Sequence, residues 1–517
     1  MGEADILAQR NDHVMTTAPN NRAGEPSHPT QGSFPWVWVA ALTILGAVLR
    51  VVGLNRGLWL DEIAFLLTTV RHPLAEIITV FPGDTQHPLY SILARLSVLA
   101  FGEHVWSLRL PAVVFGVASI PALYLLAVSV ASRAEALLCA AFLAVSYHHV
   151  WFSQNARGYS ALAFWTILST FFLLRALRNG HRGTYAAYAV AASLGAYTHL
   201  AMMFLIASHV LIAAGGALGD WKRGKSLERW KLPLQAFLLT GGLTLLLYAP
   251  IVIQVQKFFM KGPSGMKVVS TPNWALWETI RGLTVGLGFG GVLVAAALVL
   301  ACGAWSYFKQ DRVVFAFLVL PGILTVGAVA VRGTMYPRFF FSLIGFAIMI
   351  IVRGMIVIPQ SIGAYLRRGS PKLPPWLAPA LTAVLAALFF VSSAFSLVNN
   401  YRYPKQDFEG AIRFADGEIR NGATVVTTGA ATYPLQEYYT KPWDDVESVE
   451  KMQEICGKGQ PVYVVYTMPR YLQVVAPGVL AMIRREFTMV RVFHGTLGDG
   501  DIFVARFNPR NVNLPRT

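Results

Sequence analysis

Asp61 and Glu62 stand side by side in the stretch Asn55–Tyr90, NRGLWLDEIAFLLTTVRHPLAEIITVFPGDTQHPLY, with Arg71, His72, Glu76, Asp84 and His87 close by. These are the residue types of general-base and phosphate chemistry, because a carboxylate can take a hydroxyl proton while histidine or arginine meets developing negative charge. They are set among Leu, Ile, Phe and Trp directly after a hydrophobic span, an arrangement a plain connecting loop does not need. The stretch therefore reads as a catalytic loop held against a bilayer surface by its own short amphipathic helices. A blander reading stands beside it, in which Asp61 and Glu62 cap a helix start and complement its dipole.

Composition dictates what must position this loop. Of 517 residues 55% are hydrophobic and 14% charged, and the mean hydropathy is +0.50. That describes a multi-pass membrane protein. The net charge of +16 raises nucleic acid as a partner, but Lys and Arg lie in short clusters between apolar spans, where they set topology and meet anionic lipid. Nucleic-acid binding is excluded on that ground. Cys139 and Cys302 fall inside apolar spans and Cys456 stands alone, so neither a disulfide framework nor a cysteine metal site is indicated.

About eleven spans are expected, at 34–54, 108–131, 135–151, 159–177, 184–199, 200–217, 232–254, 282–307, 313–331, 339–358 and 376–398. Residues 1–33 are polar, rich in Pro, Asn and Thr, and read as a disordered cytoplasmic tail. With the N-terminus cytoplasmic, the clusters Arg175, Arg178, Arg182 and Lys222, Arg223, Lys225, Arg229, Lys231 fall on the cytoplasmic side, as do Arg367, Arg368 and Lys372. That is the positive-inside pattern. The loop carrying Asp61 and the chain after Leu397 then face outward.

Cations left on the outer side include Arg56, Arg71, Arg95, Arg109, Arg157, Lys257, Lys261, Lys267, Arg332 and Arg338. Some snorkel at span ends, and the remainder can ring a lipid-linked phosphate. His148, His149 and His199 lie near outer span ends, where an interfacial histidine with a partner is the ordinary case. From 399 to 517 the pattern changes to a small α/β domain, with strands around 424–428, 461–467, 488–493 and 501–507 and helices at 406–419 and 435–439. Its Gly-Asp-Gly-Asp run, with Asp499 and Asp501, reads as a hairpin turn ahead of a cation loop.

The order LWLDE, then HPLYSILARLSVLAFGEHVWSLRLPAVVFGVASIPALYLL, SYHHVWFSQNARGYSALAF and GAYTHLAMMFLIA resembles the family 39 glycosyltransferases. These are the protein O-mannosyltransferase-like enzymes, which include the lipid A aminoarabinose transferase, within the C-type superfamily. The similarity covers about the first 215 residues, with a weaker echo at RGTMYPRFFFSLIGF. It implies a polytopic α-helical fold plus the C-terminal extracytoplasmic domain, in a bacterial inner membrane. It also implies transfer of a sugar from a polyprenyl-phosphate carrier to a cell-envelope acceptor on the outer face.

Under that resemblance Asp61 matches the family's base, accompanied by Glu62, while His87 and Arg157 match donor-phosphate positions. Arg332 and Arg338 join them as phosphate candidates, and Asp84, Tyr90, Tyr159 and His199 as residues lining the substrate. Asn155 stands where many relatives carry an acid, and Ile63 where some carry Arg. A lipid phosphate is already a good leaving group, so one carboxylate suffices as base, and direct displacement predicts inversion. A divalent cation, Mg or Mn, on Asp61, Glu62 or Asp84 is compatible with this scheme, though no spacing requires it. Two other classes fit a multi-pass chain: a lipid-linked sugar flippase and a non-catalytic lipid-binding protein.

Overall fold

The computed structural model describes residues 35–83, 86–260, 272–287, 290–332, 337–369 and 374–507. The expected tail, 1–33, lies outside them. The chain divides into two units between Val37 and Trp38. Of the first, only residues 35–37 are described, and the fold described is that of the second, from Trp38 onward.

The membrane part runs through α1 (Trp36–Val51), α2 (Leu60–Phe65), α3 (Leu74–Thr79), α4 (Pro88–Phe101), α5 (Val105–Val128), α6 (Arg133–Val145), α7 (Tyr147–Ser153), α8 (Tyr159–Asn179) and α9 (Arg182–Thr198). It continues with α10 (Met202–Lys222), α11 (Lys231–Tyr248), α12 (Val252–Met260), α13 (Pro272–Leu287), α14 (Gly290–Gln310), α15 (Arg312–Arg332), α16 (Ile344–Gly369) and α17 (Leu377–Arg402). Among the described residues seven helices are long and apolar enough to cross a membrane, or eight if α6 and α7 form one bent span. The other expected spans fall on α1, α9 and α15, which are shorter over their described apolar length.

One expected span, 135–151, is broken. Helices α6 and α7 meet at 56° because Ser146 leaves the helical region at ψ 121° and caps the His149 N–H instead. The break frees carbonyls inside the membrane part, where each needs a donor. Arg50 of α1 supplies them: its guanidinium donates to the carbonyls of Ala144 at 3.0 Å and Leu143 at 3.2 Å and to Ser153 Oγ at 3.3 Å, and its Nη2 lies 2.6 Å from His149 Nδ1. Arg50 is completely buried. The consequence is positional, since the redirected α7 delivers the strip Gln154–Gly158 to the loop side.

The C-terminal part holds α18 (Phe408–Arg420), β1 (Thr424–Gly429), β2 (Asp444–Asp445), α19 (Val449–Cys456), β3 (Val462–Thr467), α20 (Pro469–Val475), α21 (Pro477–Glu486), β4 (Phe487–Phe493) and β5 (Ile502–Phe507). The sheet order is β2-β1-β3-β5-β4. Strands β1 and β3 are parallel, and β5 runs antiparallel to both β3 and β4. The expected strands and α18 are present, whereas α19 to α21 and the two-residue β2 carry too short or too mixed a pattern to be read beforehand. Asp501 accepts the Gly495 N–H at 3.0 Å and meets His494 Nδ1 at 3.1 Å across the β4–β5 turn.

This domain is not a separate bead on the last helix. A single apolar cluster contains Leu58, Ile63, Phe65, Leu66 and Val70 of the Asn55–Tyr90 stretch together with Phe408, Leu435, Trp443, Val465 and Val504 of the sheet domain. The loop and the domain therefore share one core. Phe408→Ala should cost about 3–5 kcal/mol, the usual toll for a buried aromatic. Limited proteolysis should then open Asn55–Tyr90 and the sheet domain together, and opening of the domain alone would refute a shared core.

Candidate active site

Helix α2 begins at Leu60 after the extended residue Trp59, so Asp61 and Glu62 occupy its second and third positions. Successive helical residues project about 100° apart, and the two carboxylates part company. Asp61 keeps about a quarter of its side chain exposed and is approached by Arg338 Nη1 at 3.5 Å and Arg157 Nη2 at 3.6 Å, both on Oδ2. Arg338 sits on the short 3₁₀ turn Pro337–Leu343 that leads into α16, and Arg157 on the strip after α7. Three separate parts of the chain converge there.

His87, Tyr159 and His199 join the same group. The His87 ring lies 4.8 Å from that of His199 and 5.0 Å from that of Tyr159, and it is fully buried. Its Nδ1 accepts the Gly158 N–H at 3.0 Å. Glycine is required for this approach, because a Cβ at position 158 would stand 2.6 Å from Nδ1. Burial, followed by the neighbouring His199 and the charges of Arg157 and Arg338, holds the imidazole well below its usual 6.5. A neutral ring that accepts at Nδ1 must carry its proton on Nε2. That nitrogen is buried without a hydrogen-bond partner among the described residues, so it is a donor awaiting an acceptor.

Glu62 is spent elsewhere. It has no exposed surface, accepts from Arg109 Nε at 2.8 Å and Nη2 at 2.5 Å, and takes the Ala156 N–H at 2.6 Å. It also reaches back to the Trp59 N–H at 3.4 Å, which is the helix-capping part of the blander reading. Burial pushes its carboxyl up, but Arg109, Lys405 and the Ala156 N–H outweigh this and hold it below the usual 4.5. Arg109 in turn donates to the carbonyls of Leu54, Arg56 and Gly57 at 2.7, 2.8 and 3.2 Å. The pair thus pins the loop start, α2 and the strip before Arg157 to one point.

Tyr90 is not brought to the group: it is buried against Phe65, with its hydroxyl donating to the Leu108 carbonyl at 2.9 Å. Asp84 lies outside the described residues, and so does the side chain of Arg332 at the end of α15. Among the described residues no three His, Cys, Asp or Glu side chains gather as metal ligands. The described donors do not fit a divalent cation, because Asp61 alone among them is an accessible carboxylate here and two guanidiniums flank it.

Three residues escaped the sequence reading. Gln154 donates to the carbonyls of Arg50 and Val52 at 3.1 and 2.7 Å, closing the end of α1. Lys405 Nζ donates to the Gln154 carbonyl at 2.6 Å, and Gln406 Oε1 accepts the Leu60 N–H at 2.9 Å. Lys405 is buried beside the Trp151 ring. Burial, then Arg109, lowers its ammonium from 10.5 to about 7, with Glu62 opposing and Arg56 adding to the fall. The only available signal was a polar Lys-Gln pair directly after a span, which snorkelling explains equally well.

A helical membrane part whose loop sets one accessible carboxylate beside two arginines, joined to a small sheet domain, has its likeness among solved membrane-protein folds. Residues 85–253, about a third of the chain, match the family described as dolichyl-phosphate-mannose-protein mannosyltransferase. ArnT from Cupriavidus metallidurans in the apo state is similar over 93% of this chain and 99% of its own, at 14% identity and a TM-score of 0.53. The same protein bound to undecaprenyl phosphate gives 94%, 100%, 14% and 0.51. AglB, the archaeal oligosaccharyltransferase from Archaeoglobus fulgidus, in complex with an inhibitory peptide and a dolichol-phosphate, covers 94% of this chain and 75% of its own at 12% identity and a TM-score of 0.52. No curated protein matches. The resemblance read from the motifs holds in this family match, and the fold is that of these structures over most of the chain.

The depressed Lys405 makes a signed prediction. Between pH 7 and 10.5 the unfolded chain still holds a proton that folded Lys405 has released, so this residue makes stability rise with pH across that window. Subtracting the Lys405→Met melting profile from that of the wild type should reveal the rise. A flat difference would place the ammonium in an ordinary environment.

Proposed function

We propose that this chain is an inverting glycosyltransferase that moves a sugar from a polyprenyl-phosphate carrier to a cell-envelope acceptor hydroxyl, with Asp61 as general base. The observation that carries the reading is the grouping of one accessible carboxylate with Arg157, Arg338 and the Nε2–H of His87. Asp61 takes the acceptor proton as its oxygen bonds to the anomeric carbon. The bond from that carbon to the carrier phosphate breaks, and its electron pair leaves with the phosphate. Arg157, Arg338 and His87 Nε2–H meet the charge that develops there, at a boundary where water is scarce and such contacts strengthen. Tyr159 and His199 border the sugar. Glu62 acts through Arg109 to hold α2 in place.

The carrier class is supported by the undecaprenyl phosphate and dolichol-phosphate named for the similar structures. The domain plan goes with it: a cytoplasmic tail to residue 33, a transferase part from 34 to 398 with its outer loop 55–107, and an extracytoplasmic domain from 399. A bacterial inner membrane with the N-terminus cytoplasmic is supported by the charge clusters and the resemblance.

Asp61→Asn should cut kcat at least about a hundredfold with purified protein and a panel of polyprenyl-phosphate sugars, since base catalysis contributes about 10²–10⁴. Full turnover by a folded Asp61→Asn would remove the base. A wild type that moves labelled lipid between leaflets yet transfers nothing would make the protein a flippase.

Arg157→Ala and Arg338→Ala should each weaken donor use about ten- to a hundredfold, the size of a charge-assisted contact to phosphate. Because His87 stays neutral well below 6.5, the donor KM should show no ionisation limb near that pH. A limb there that vanishes in His87→Gln would mean the ring binds phosphate as a cation.

A further inference from the structure

The segment that joins α17 to α18 is locked from its far side. Pro404 and Lys405 accept with their carbonyls from the Thr496 and Leu497 N–H groups at 2.9 and 3.1 Å. Gly495 approaches so closely that a Cβ there would collide with the Lys405 carbonyl. The Thr496 hydroxyl receives the Trp151 indole N–H at 2.9 Å, so the ribbon is tied to α7 as well as to the β4–β5 turn.

Two consecutive side chains leave this fixed ribbon for the two strips of chain that meet at Asp61. Lys405, on the Gln154 carbonyl, holds the strip that carries Arg157 three residues on. Gln406, on the Leu60 N–H, holds the first residue of α2, immediately before Asp61. The Leu60 N–H is one of the helix-start donors with no acceptor inside the helix, so an outside acceptor fixes where the first turn points. Gln406 is itself oriented from behind: its Nε2 donates to Thr467 Oγ1 at 3.2 Å at the end of β3, and that hydroxyl donates to the Asp501 carbonyl at 2.9 Å. It is 1% exposed.

We propose that Lys405 and Gln406 are positioning residues by which the sheet domain sets the separation of Asp61 and Arg157, Gln406 through the Leu60 N–H and Lys405 through the Gln154 carbonyl. The proposal rests on the reading of Asp61 as base. It makes the domain a working part of the site, because the catalytic carboxylate sits on a six-residue helix that Glu62 holds from within and Gln406 holds, at its first residue, from the sheet-domain side. Displacements of about 1 Å at a reacting group can cost as much as about a hundredfold in rate.

The test uses the full-length protein and approaches the contact from both ends. Gln406→Met removes the acceptor, whereas Leu60→Pro removes the donor. Proline is favoured at the first helical position, and Trp59, at φ −99° and ψ 168°, already has the extended backbone that a following proline requires. Each variant should lower kcat about tenfold or more while undecaprenyl phosphate, used as the binding probe, keeps its affinity within about twofold. The double variant should be no worse than either single one, as expected for two halves of one contact. Without any ligand, amide exchange at Asp61–Phe65 should accelerate in Gln406→Met, and Gln406→Glu, which keeps the acceptor, should restore protection. Lys405→Met should accelerate exchange at Asn155–Gly158 instead.

Wild-type exchange together with wild-type kcat in Gln406→Met and Leu60→Pro would overturn the proposal while leaving the base reading intact. Additive losses in the double variant would also overturn it. Asp61→Asn at full rate would sink the base reading and this one with it.

Discussion

The buried pair Glu62–Arg109 is the constraint on which the rest of the site depends. Removing two charges from water is costly, and the cost is recovered only when geometry is close and every remaining polar atom is satisfied. Here the satisfaction is used to build structure: the carboxylate collects Arg109, Ala156 and Trp59, and the guanidinium collects three carbonyls of the loop start. Breaking such a pair leaves an orphaned charge in the interior. The loop, α2 and the strip before Arg157 therefore stand or fall as one body, and Asp61 inherits its position from a neighbour that is wholly enclosed.

A second layer surrounds this pair. Arg50 fixes the broken junction of α6 and α7 from within the membrane part, Gln154 closes the end of α1, and Lys405 and Gln406 reach in from the sheet domain. Each serves backbone carbonyls or amides that irregular structure has left unpaired. The site is irregular because it must gather Asp61, His87, Arg157 and Arg338 from four segments, and irregular backbone near a bilayer persists only where protein donors replace water.

The sequence disclosed the class of fold through composition and charge phase, and the segments of the site through residue type. Arg157 and Arg338 were legible as outer-side cations that topology did not require, Asp61 as part of an acidic pair among apolar residues, and His87, Tyr159 and His199 through the family resemblance, and the six come together. What could not be read was the division of labour inside Asp61-Glu62. Adjacency in sequence does not say which carboxylate faces solvent, and the buried, helix-capping role falls to Glu62 while Asp61 is left accessible. Tyr90 was drawn toward the site by its neighbours His87 and Pro88, whereas its helix turns it into the loop core. Arg50 drew no notice in the sequence, because its partners, the carbonyls at 143 and 144, arise from a bend with no proline or glycine to announce it. Lys405 and Gln406 act across more than 240 residues of chain, a distance at which one sequence offers no pairing signal.

The shared apolar cluster bears on how the protein is made. Leu58, Ile63 and Phe65 emerge from the ribosome some 340 residues before Phe408, their packing partner. Until that late segment arrives, the loop has only the part of this cluster that α4 and α5 supply, and its non-local contacts make consolidation slow. Biosynthesis thus imposes an order of events: the membrane helices can insert and pack while the Asn55–Tyr90 stretch lacks part of its cover, and its burial is completed only once the sheet domain folds.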